Sequence, residues 1–208
     1  MAIATKGFPR RPTVRYSDLR PELRSGDLLL CSGTGMFSRM IQAASDSVWS
    51  HVAFVMRLDA IDRVMVLESL EPIGVRTVPL RKYVEDYDSR GSPYPGRLAV
   101  ARHDEFEKKA NGRALRRLGK FGVDLFGYPY DRSEVARIAA RIVASKLRSP
   151  RLSVRAVRRD REYICSEYVW ECYKSLGISI DYDRRGFIAP ADFAKAKGVR
   201  LRAVVGLG

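Results

Sequence analysis

Three side chains of this sequence have the types needed for a thiol nucleophile with its base: Cys165, His51 and Glu68. A cysteine attacks carbonyl carbons as a thiolate when a histidine accepts its proton and a polar group orients the imidazole. Only two histidines occur in the chain, so few residues could serve as the base. The chemistry available to such a group is acyl transfer to sulfur followed by hydrolysis of the thioester.

The cysteine lies in the stretch YICSEYVWECY, residues 163–173, whose apolar positions recur with helical spacing. The buried face of the predicted helix consists of Cys165, Tyr168, Val169, Cys172 and Leu176. In the first turn of a helix, unpaired backbone N–H groups and the helix dipole favour a thiolate. The same pattern fits an ordinary core helix with a structural cysteine, which is our interpretation of Cys172. These residues alone leave both interpretations of Cys165 open.

Two buried strands are predicted around the histidine and the glutamate. The runs SHVAFVMR (50–57) and RVMVLESL (63–70) are rich in β-branched and aromatic side chains. In an antiparallel hairpin, Glu68 falls within about one residue of the position opposite His51. A carboxylate in this setting is costly unless it is paired, so we expect the two side chains to meet. The alternatives are a solvent-facing strand end for Glu68 and a satisfied core histidine for His51.

The remaining patterns predict one α+β domain that begins at residue 23. Further strands are predicted at residues 27–31, 74–80, 96–102 and 199–205, and helices at 36–44, 80–87, 105–120, 133–146 and 190–196. Asn111-Gly112 is expected to interrupt one helix. The glycine-spaced loop at residues 32–35 could cradle a phosphate, but no lysine follows it in the Walker spacing. We therefore expect this loop to be a turn that lines a cleft. The Pro- and Arg-rich residues 1–22 are expected to form a flexible basic arm.

The charge of the chain is strongly positive, with 38 lysines and arginines against 24 aspartates and glutamates, a net charge of +14. Such an excess favours an anionic partner, namely nucleic acid, acidic lipid or a polyanionic polymer. Many of these residues lie in a basic helical insert at residues 105–161. Its second half has arginines without interleaved aromatics, so sequence-specific nucleic-acid recognition is not expected. A contact with an anionic surface is expected from Arg148, Arg151, Arg155, Arg158 and Arg159. A solvated charged face or a mobile loop is the alternative.

The cysteine and histidine content indicates whether disulfides, a metal site or a cofactor are expected. Three cysteines without a CxxC pair predict free thiols in a reducing compartment. Two distant histidines and unclustered cysteines predict neither a metal site nor a cofactor. His103, beside Asp104 and Glu105, is expected to be exposed and without a catalytic role. Neither a signal peptide nor a membrane-spanning run is recognisable, so a cytoplasmic location is expected.

Several short motifs, taken in order, resemble a known family. GDLLL, SHVAFV, LES followed by GV and L, YICSEYVWECY and PADF resemble the permuted papain-like amidases of the YaeF and YiiX kind. This family is related to the NlpC-type cell-wall peptidases. In the amidases, a circular permutation puts the histidine before the cysteine in the sequence. The resemblance extends over residues 23–196. It implies a papain-like α+β fold whose central antiparallel sheet packs against the cysteine helix. It also implies that Cys165 is the nucleophile, His51 the base and Glu68 the group that orients the base.

The activity implied by this resemblance is that of a cysteine hydrolase that cleaves an amide, such as a peptide or an amino-acid conjugate. The backbone N–H of Cys165 is expected to stabilise the oxyanion, and Tyr163 and Ser50 are candidates for a second donor or a substrate contact. The stretch YICSEY lacks the Asn-Cys-Glu-His signature of the lecithin-retinol acyltransferase branch. Two alternatives stay open. A lipid acyl hydrolase or acyltransferase at anionic membranes requires an apolar groove, and a non-catalytic polyanion-binding protein predicts salt-dependent binding that does not need Cys165.

Overall fold

The computed structural model describes residues 3–131, 164–182 and 187–207. The predicted helix at 133–146, the arginines of the second half of the insert and Tyr163 lie outside these residues. The strands are β1 (Thr13–Val14), β2 (Asp27–Gly33), β3 (His51–Leu58), β4 (Arg63–Leu70), β5 (Gly74–Pro79), β6 (Gly96–His103) and β7 (Val199–Val205). The helices are α1 (Tyr16–Leu19), α2 (Met36–Ser45), α3 (Leu80–Glu85), α4 (Phe106–Lys109), α5 (Gly112–Leu118), α6 (Cys165–Ser175) and α7 (Pro190–Lys195).

One seven-stranded sheet forms the centre of the fold, in the order β1-β7-β6-β2-β3-β4-β5. Neighbouring strands are antiparallel except for β1, which pairs with β7 in parallel. The prediction of an α+β fold with a central, mainly antiparallel sheet is therefore confirmed. None of the helices within the described ranges combines the length and the apolar character needed to cross a bilayer.

Each face of the sheet carries its own apolar cluster because side chains alternate along a strand. Val52 and Phe54 belong to the cluster that includes the buried side chains of α6. Ala53, Val55 and Val66 belong to the cluster on the opposite face. Strand β3 is thus buried on both faces, which explains why its sequence is a continuous apolar run.

Helix α6 packs on the sheet through the face that its helical spacing predicts. The side chains on this face are 3 % exposed or less: Cys165, Tyr168, Val169, Cys172 and Leu176. Tyr173 adds a polar anchor, since its hydroxyl donates to the backbone carbonyl of Gly26 at 2.6 Å and its ring packs edge-on against Phe54. Burial of each large apolar side chain contributes about 1.5–3 kcal/mol, so the position of this helix is well determined.

Several residues of the segment 3–22, which was expected to be a flexible arm, contact the rest of the domain. Strand Thr13–Val14 pairs with β7, and Ile3 is buried in the cluster beneath α6. The indole Nε1 of Trp49 donates to the backbone carbonyl of Ala4 at 2.9 Å. A few spaced apolar residues and backbone hydrogen bonds therefore hold this segment, and the many arginines and prolines around them conceal that pattern in the sequence.

The described part of the basic insert contributes to the core. Asn111 caps the start of α5, since its side-chain oxygen accepts from the backbone N–H of Ala114 at 3.0 Å. The interruption predicted at Asn111-Gly112 is therefore present, between α4 and α5. Ala114 and Leu118 are buried, whereas the arginines of α5 lie on its exposed side.

Candidate active site

Cys165 is the first residue of α6 and is 3 % exposed. Its backbone N–H belongs to the first turn, where no carbonyl within the helix is available as acceptor. The carboxylate of Glu167 accepts from the backbone N–H of Ile164 at 3.4 Å, and the hydroxyl of Ser166 donates to the carbonyl of Ile188 at 2.7 Å. These contacts hold the start of the helix in place on both sides of the cysteine.

His51 is the first residue of β3, where the sheet ends close to the start of α6. Its Nε2 lies 2.7 Å from Oε2 of Glu68. Cys165 lines the same cleft as this imidazole and is one of the groups that raise its pKa. Because Nε2 is engaged by Glu68, Nδ1 is the nitrogen left for the thiol. The structure thus brings together Cys165, His51 and Glu68, which are far apart in sequence.

The contact between His51 and Glu68 is diagonal. Strands β3 and β4 pair with Phe54 opposite Leu67, and extending this register places Glu68 opposite Ala53. His51 and Ala53 lie on the same face of their strand, so the imidazole and the carboxylate meet as diagonal neighbours. The contact expected from the hairpin is present, but the sequence estimate of the register placed the two residues closer to opposite positions than they are.

The Glu68 carboxylate is fully buried and accepts from three donors. Besides His51, these are Nε of Arg76 at 2.9 Å and the hydroxyl of Tyr83. Arg76 is held in turn by its Nη2, which donates to Asp88 at 3.2 Å. A buried carboxylate with this many donors stays ionised at little net cost.

Sequence reasoning missed both Arg76 and Tyr83, although one signal was available for the arginine. Strands β4 and β5 form a tight hairpin in which Arg76 lies directly opposite Glu68. An opposite-charge pair of this kind is a common cross-strand contact. Tyr83 comes from α3, and no local pattern predicts that its hydroxyl reaches back to the sheet.

The surroundings of His51 and Glu68 favour the charged form of each side chain. Burial by itself lowers the pKa of His51, but the Cys165 thiolate and the Glu68 carboxylate outweigh this effect and raise the pKa to about 10. Burial acts to raise the pKa of Glu68, whereas His51, Arg76 and Tyr83 together lower it below its ordinary value. The imidazolium form of His51 is therefore stabilised next to the Cys165 sulfur.

The other two thiols lie in different surroundings. Cys31 is directly opposite His51 on the neighbouring strand β2, and Cys172 lies on the buried face of α6. Both are fully buried, and burial raises the pKa of each thiol well above its ordinary range. Both are therefore expected to stay protonated and unreactive.

His103 is buried, which corrects the expectation that it would be exposed. It is 4 % exposed, and its Nδ1 accepts from the backbone N–H of Glu105 at 3.1 Å. Its ring packs against Tyr173, and burial lowers its pKa. The charged neighbours Asp104 and Glu105 are typical of an exposed segment. The side chain of His103, the last residue of β6, is nevertheless buried.

Cys165 and His51 line a cleft of about 180 Å³. The loop of residues 33–35 forms part of its wall, as the sequence predicted for residues 32–35. A Cβ added to Gly33 would lie 2.4 Å from Oγ of Ser38, so this position has no room for a side chain. Among the described residues, those that line the cleft include no lysine or arginine, despite the overall positive charge.

Ser50 also lines the cleft, but its hydroxyl is engaged with the backbone. It accepts from the N–H of Gly33 at 2.9 Å and donates to the carbonyl of Cys31 at 3.3 Å. Ser50 thereby fixes the start of the loop that forms the cleft wall. The other candidate for a second oxyanion donor, Tyr163, lies outside the described residues. Within the described segments, no group of three or more His, Cys, Asp or Glu side chains is arranged to hold a metal ion.

Comparison with known proteins agrees with this architecture. The chain is similar to the crystal structure of metalloprotein yiiX from Escherichia coli O157:H7, with a TM-score of 0.58 and 18% sequence identity over 87% of this chain and 97% of that one. No curated protein matches the chain. The model of the family described as permuted papain-like amidase enzyme, YaeF/YiiX, C92 family, matches residues 22–148, which is more than half of the chain and includes His51 and Glu68. The chain therefore belongs to the permuted papain-like amidases of the YaeF/YiiX kind, a family of papain-like cysteine hydrolases.

Proposed function

We propose that the protein cleaves an amide bond by nucleophilic attack of Cys165, with His51 as the base and Glu68 as the residue that orients the base. The observation that carries this proposal is the position of the imidazole, whose Nε2 lies 2.7 Å from Oε2 of Glu68 and which lines the same cleft as Cys165. The amide belongs to a peptide or an amino-acid conjugate. The family supports a hydrolase of the amidase kind.

The reaction begins when His51 takes the proton of Cys165 and the thiolate attacks the carbonyl carbon. A C–S bond forms, and the carbonyl oxygen becomes an oxyanion next to the first N–H groups of α6. The C–N bond then breaks, and His51 gives its proton to the departing nitrogen. Water, deprotonated by the same imidazole, hydrolyses the thioester and regenerates the thiol. Glu68 holds the imidazole orientation throughout and stabilises its cationic form.

The lipid alternative requires room for an acyl chain next to Cys165. Of the two spaces that Cys165 lines, the cleft shared with His51 has a volume of about 180 Å³ and the apolar cavity only about 20 Å³. A fatty acyl chain needs many times the space of the apolar cavity. This favours a small acyl group over a lipid. A contact between the anionic surface of a partner and Arg148, Arg151, Arg155, Arg158 and Arg159 stays a proposal, separate from the chemistry, because the described lining of the cleft has no basic side chain.

The experiment that tests the proposal is iodoacetamide labelling with peptide mapping from pH 4 to 10. Cys31 and Cys172 serve as internal controls because both are fully buried in the same molecule. We expect Cys165 to react much faster than either, and to lose this advantage in His51→Ala. Equal rates at all three thiols, or an unchanged rate in His51→Ala, would contradict the proposal.

A further inference from the structure

A second cavity adjoins Cys165 and differs in character from the cleft that contains His51. It is lined by the apolar face of α2, by Tyr130 and by the segment that leads into α7. Its described lining includes Met40, Ile41 and Ala44 of α2, together with Tyr130, Ile164 and Cys165. Within the described part of the chain, neither a charged side chain nor His51 lines this cavity.

The two cavities meet at the cysteine, since both are lined by Cys165, Ile41 and Tyr130. A substrate carbonyl under attack by the Cys165 sulfur therefore has one space on either side. Protonated His51 is the acid of the proposed reaction, and its position indicates which part of the substrate occupies each space. His51 must reach the departing nitrogen to protonate it, so the leaving group occupies the cleft that His51 lines. The acyl part is left with the apolar cavity.

The size of this cavity limits the acyl part. Its volume of about 20 Å³ is room for roughly one water-sized group, which is close to a methyl group. Most side chains of the described lining are apolar, so a charged group placed among them would lose its hydration with little compensation. The hydroxyl of Ser166, which could have been a partner for such a group, is used by the carbonyl of Ile188 at 2.7 Å.

We propose that the apolar cavity is the acyl-side subsite and that it selects substrates whose acyl group bears a short aliphatic substituent of one or two carbons. Acetyl and propionyl groups fit this description. The inference rests on the proposed role of Cys165 as nucleophile. It adds to that role the substrate class and the wall that sets it, which is the face of α2 formed by Met40, Ile41 and Ala44.

Two side chains of α2 offer a matched test. Met40 lines the cavity, whereas Met36 lies one turn earlier on the same helix, is 89 % exposed and lines neither cavity. Met40→Ala removes the flexible part of the wall and opens the subsite. Met36→Ala removes the same number of atoms from the same helix and leaves the subsite intact. Ala44→Leu is the opposite change, because it fills the cavity from the third position of the wall.

The measurement is kcat/KM for p-nitrophenyl esters of acetate, propionate, butyrate, hexanoate and octanoate, with mass spectrometry of the acyl-enzyme. For the wild type we expect hexanoate to be at least about tenfold poorer than propionate, since overfilling a packed site is costly. In Met40→Ala this ratio should shrink about tenfold, and in Met36→Ala it should not change. In Ala44→Leu propionate should become poorer relative to acetate. A wild-type rate that stays flat or rises with chain length, or equal profiles for the two methionine variants, overturns the subsite.

Failure of the subsite and failure of the proposed function give different results. If the subsite alone is wrong, hydrolysis still disappears in Cys165→Ala, but the chain-length profile does not depend on Met40. If the proposed function is wrong, hydrolysis persists in Cys165→Ala, or no ester yields an acyl-enzyme at Cys165 in the wild type.

Discussion

Arg76 lies directly opposite Glu68 in the β4–β5 hairpin, and its Nε donates to Oε1 of the carboxylate whose Oε2 contacts His51. One buried carboxylate thus joins a guanidinium and an imidazole. Without the guanidinium, the ionised form of Glu68 would be far less stable at a fully buried position. Arg76 therefore acts on the candidate active site through Glu68, without touching the substrate.

Replacement of Arg76 by Gln is expected to lower kcat/KM by roughly tenfold to a hundredfold, since the imidazole loses part of its support. Loss of the positive charge raises the pKa of Glu68, so the acid limb of the pH profile should move to higher pH. Arg76→Lys should restore the position of that limb in part. Arg81→Gln is the control, because Arg81 forms an exposed pair with Glu85 and should leave the profile unchanged. An Arg76→Gln variant with slower turnover but an unshifted profile would argue against this role.

Glu68→Gln removes the carboxylate while keeping the shape of the side chain. We expect kcat to fall by about 10²–10⁴-fold, because a neutral amide neither holds the required tautomer of His51 nor stabilises its cation. The measurement is steady-state hydrolysis together with circular dichroism, which reports whether the variant is folded. Glu85→Gln on the exposed side of α3 provides the matched control. Activity within a few-fold of the wild type in Glu68→Gln would contradict the orienting role.

The chain has only two histidines, so both can be followed by NMR titration. The structure predicts opposite shifts, with His51 titrating near pH 10 and His103 below its usual 6.5. In Cys165→Ala the pKa of His51 should fall, because the neighbouring thiolate is one of the groups that raise it. His51→Ala assigns the resonances. The pairing with the thiol is wrong if Cys165→Ala leaves the His51 titration unchanged.

The raised pKa of His51 also predicts a pH dependence of stability. A group whose pKa is higher in the folded state contributes stability that is complete below its unfolded pKa of about 6.5 and is lost as the pH rises toward 10. The free energy of unfolding in urea should therefore differ most between wild type and His51→Gln near and below pH 6.5. This difference should shrink as the pH approaches 10. A difference that is constant over this range would contradict the assigned shift.

Tyr83→Phe removes one donor from the buried carboxylate of Glu68 and keeps the aromatic ring. Hydrogen bonds to charged groups are worth about 1.5–3 kcal/mol, so the free energy of unfolding should fall by about this amount. Urea denaturation measures it. Tyr182→Phe is the control, since Tyr182 is 47 % exposed and should change stability by less than about 0.5 kcal/mol. Equal effects of the two substitutions would show that the Tyr83 hydroxyl contributes little.

Local patterns in the sequence predicted most of the elements and singled out the three residues proposed for the chemistry, whose roles were implied by the family resemblance. Strand β4 covers residues 63–70 as predicted, and α6 has the buried face that the spacing of its apolar residues indicates. These features follow from periodicity, which depends only on neighbours along the chain. The same reasoning placed His51 at a strand start and Glu68 near a strand end on adjacent strands.

Only the tertiary structure decided which side chains meet. The diagonal contact between His51 and Glu68, the support from Arg76 and Tyr83, and the inward turn of His103 depend on strand register and on the path of α3. A shift of one residue in register moves every side chain of a strand to the other face. Local sequence patterns do not determine the register to within one residue. The apolar cavity beside Cys165 arises in the same way. Its walls come from α2, from Tyr130 and from the segment before α7, which are distant in sequence and become neighbours only when the chain packs.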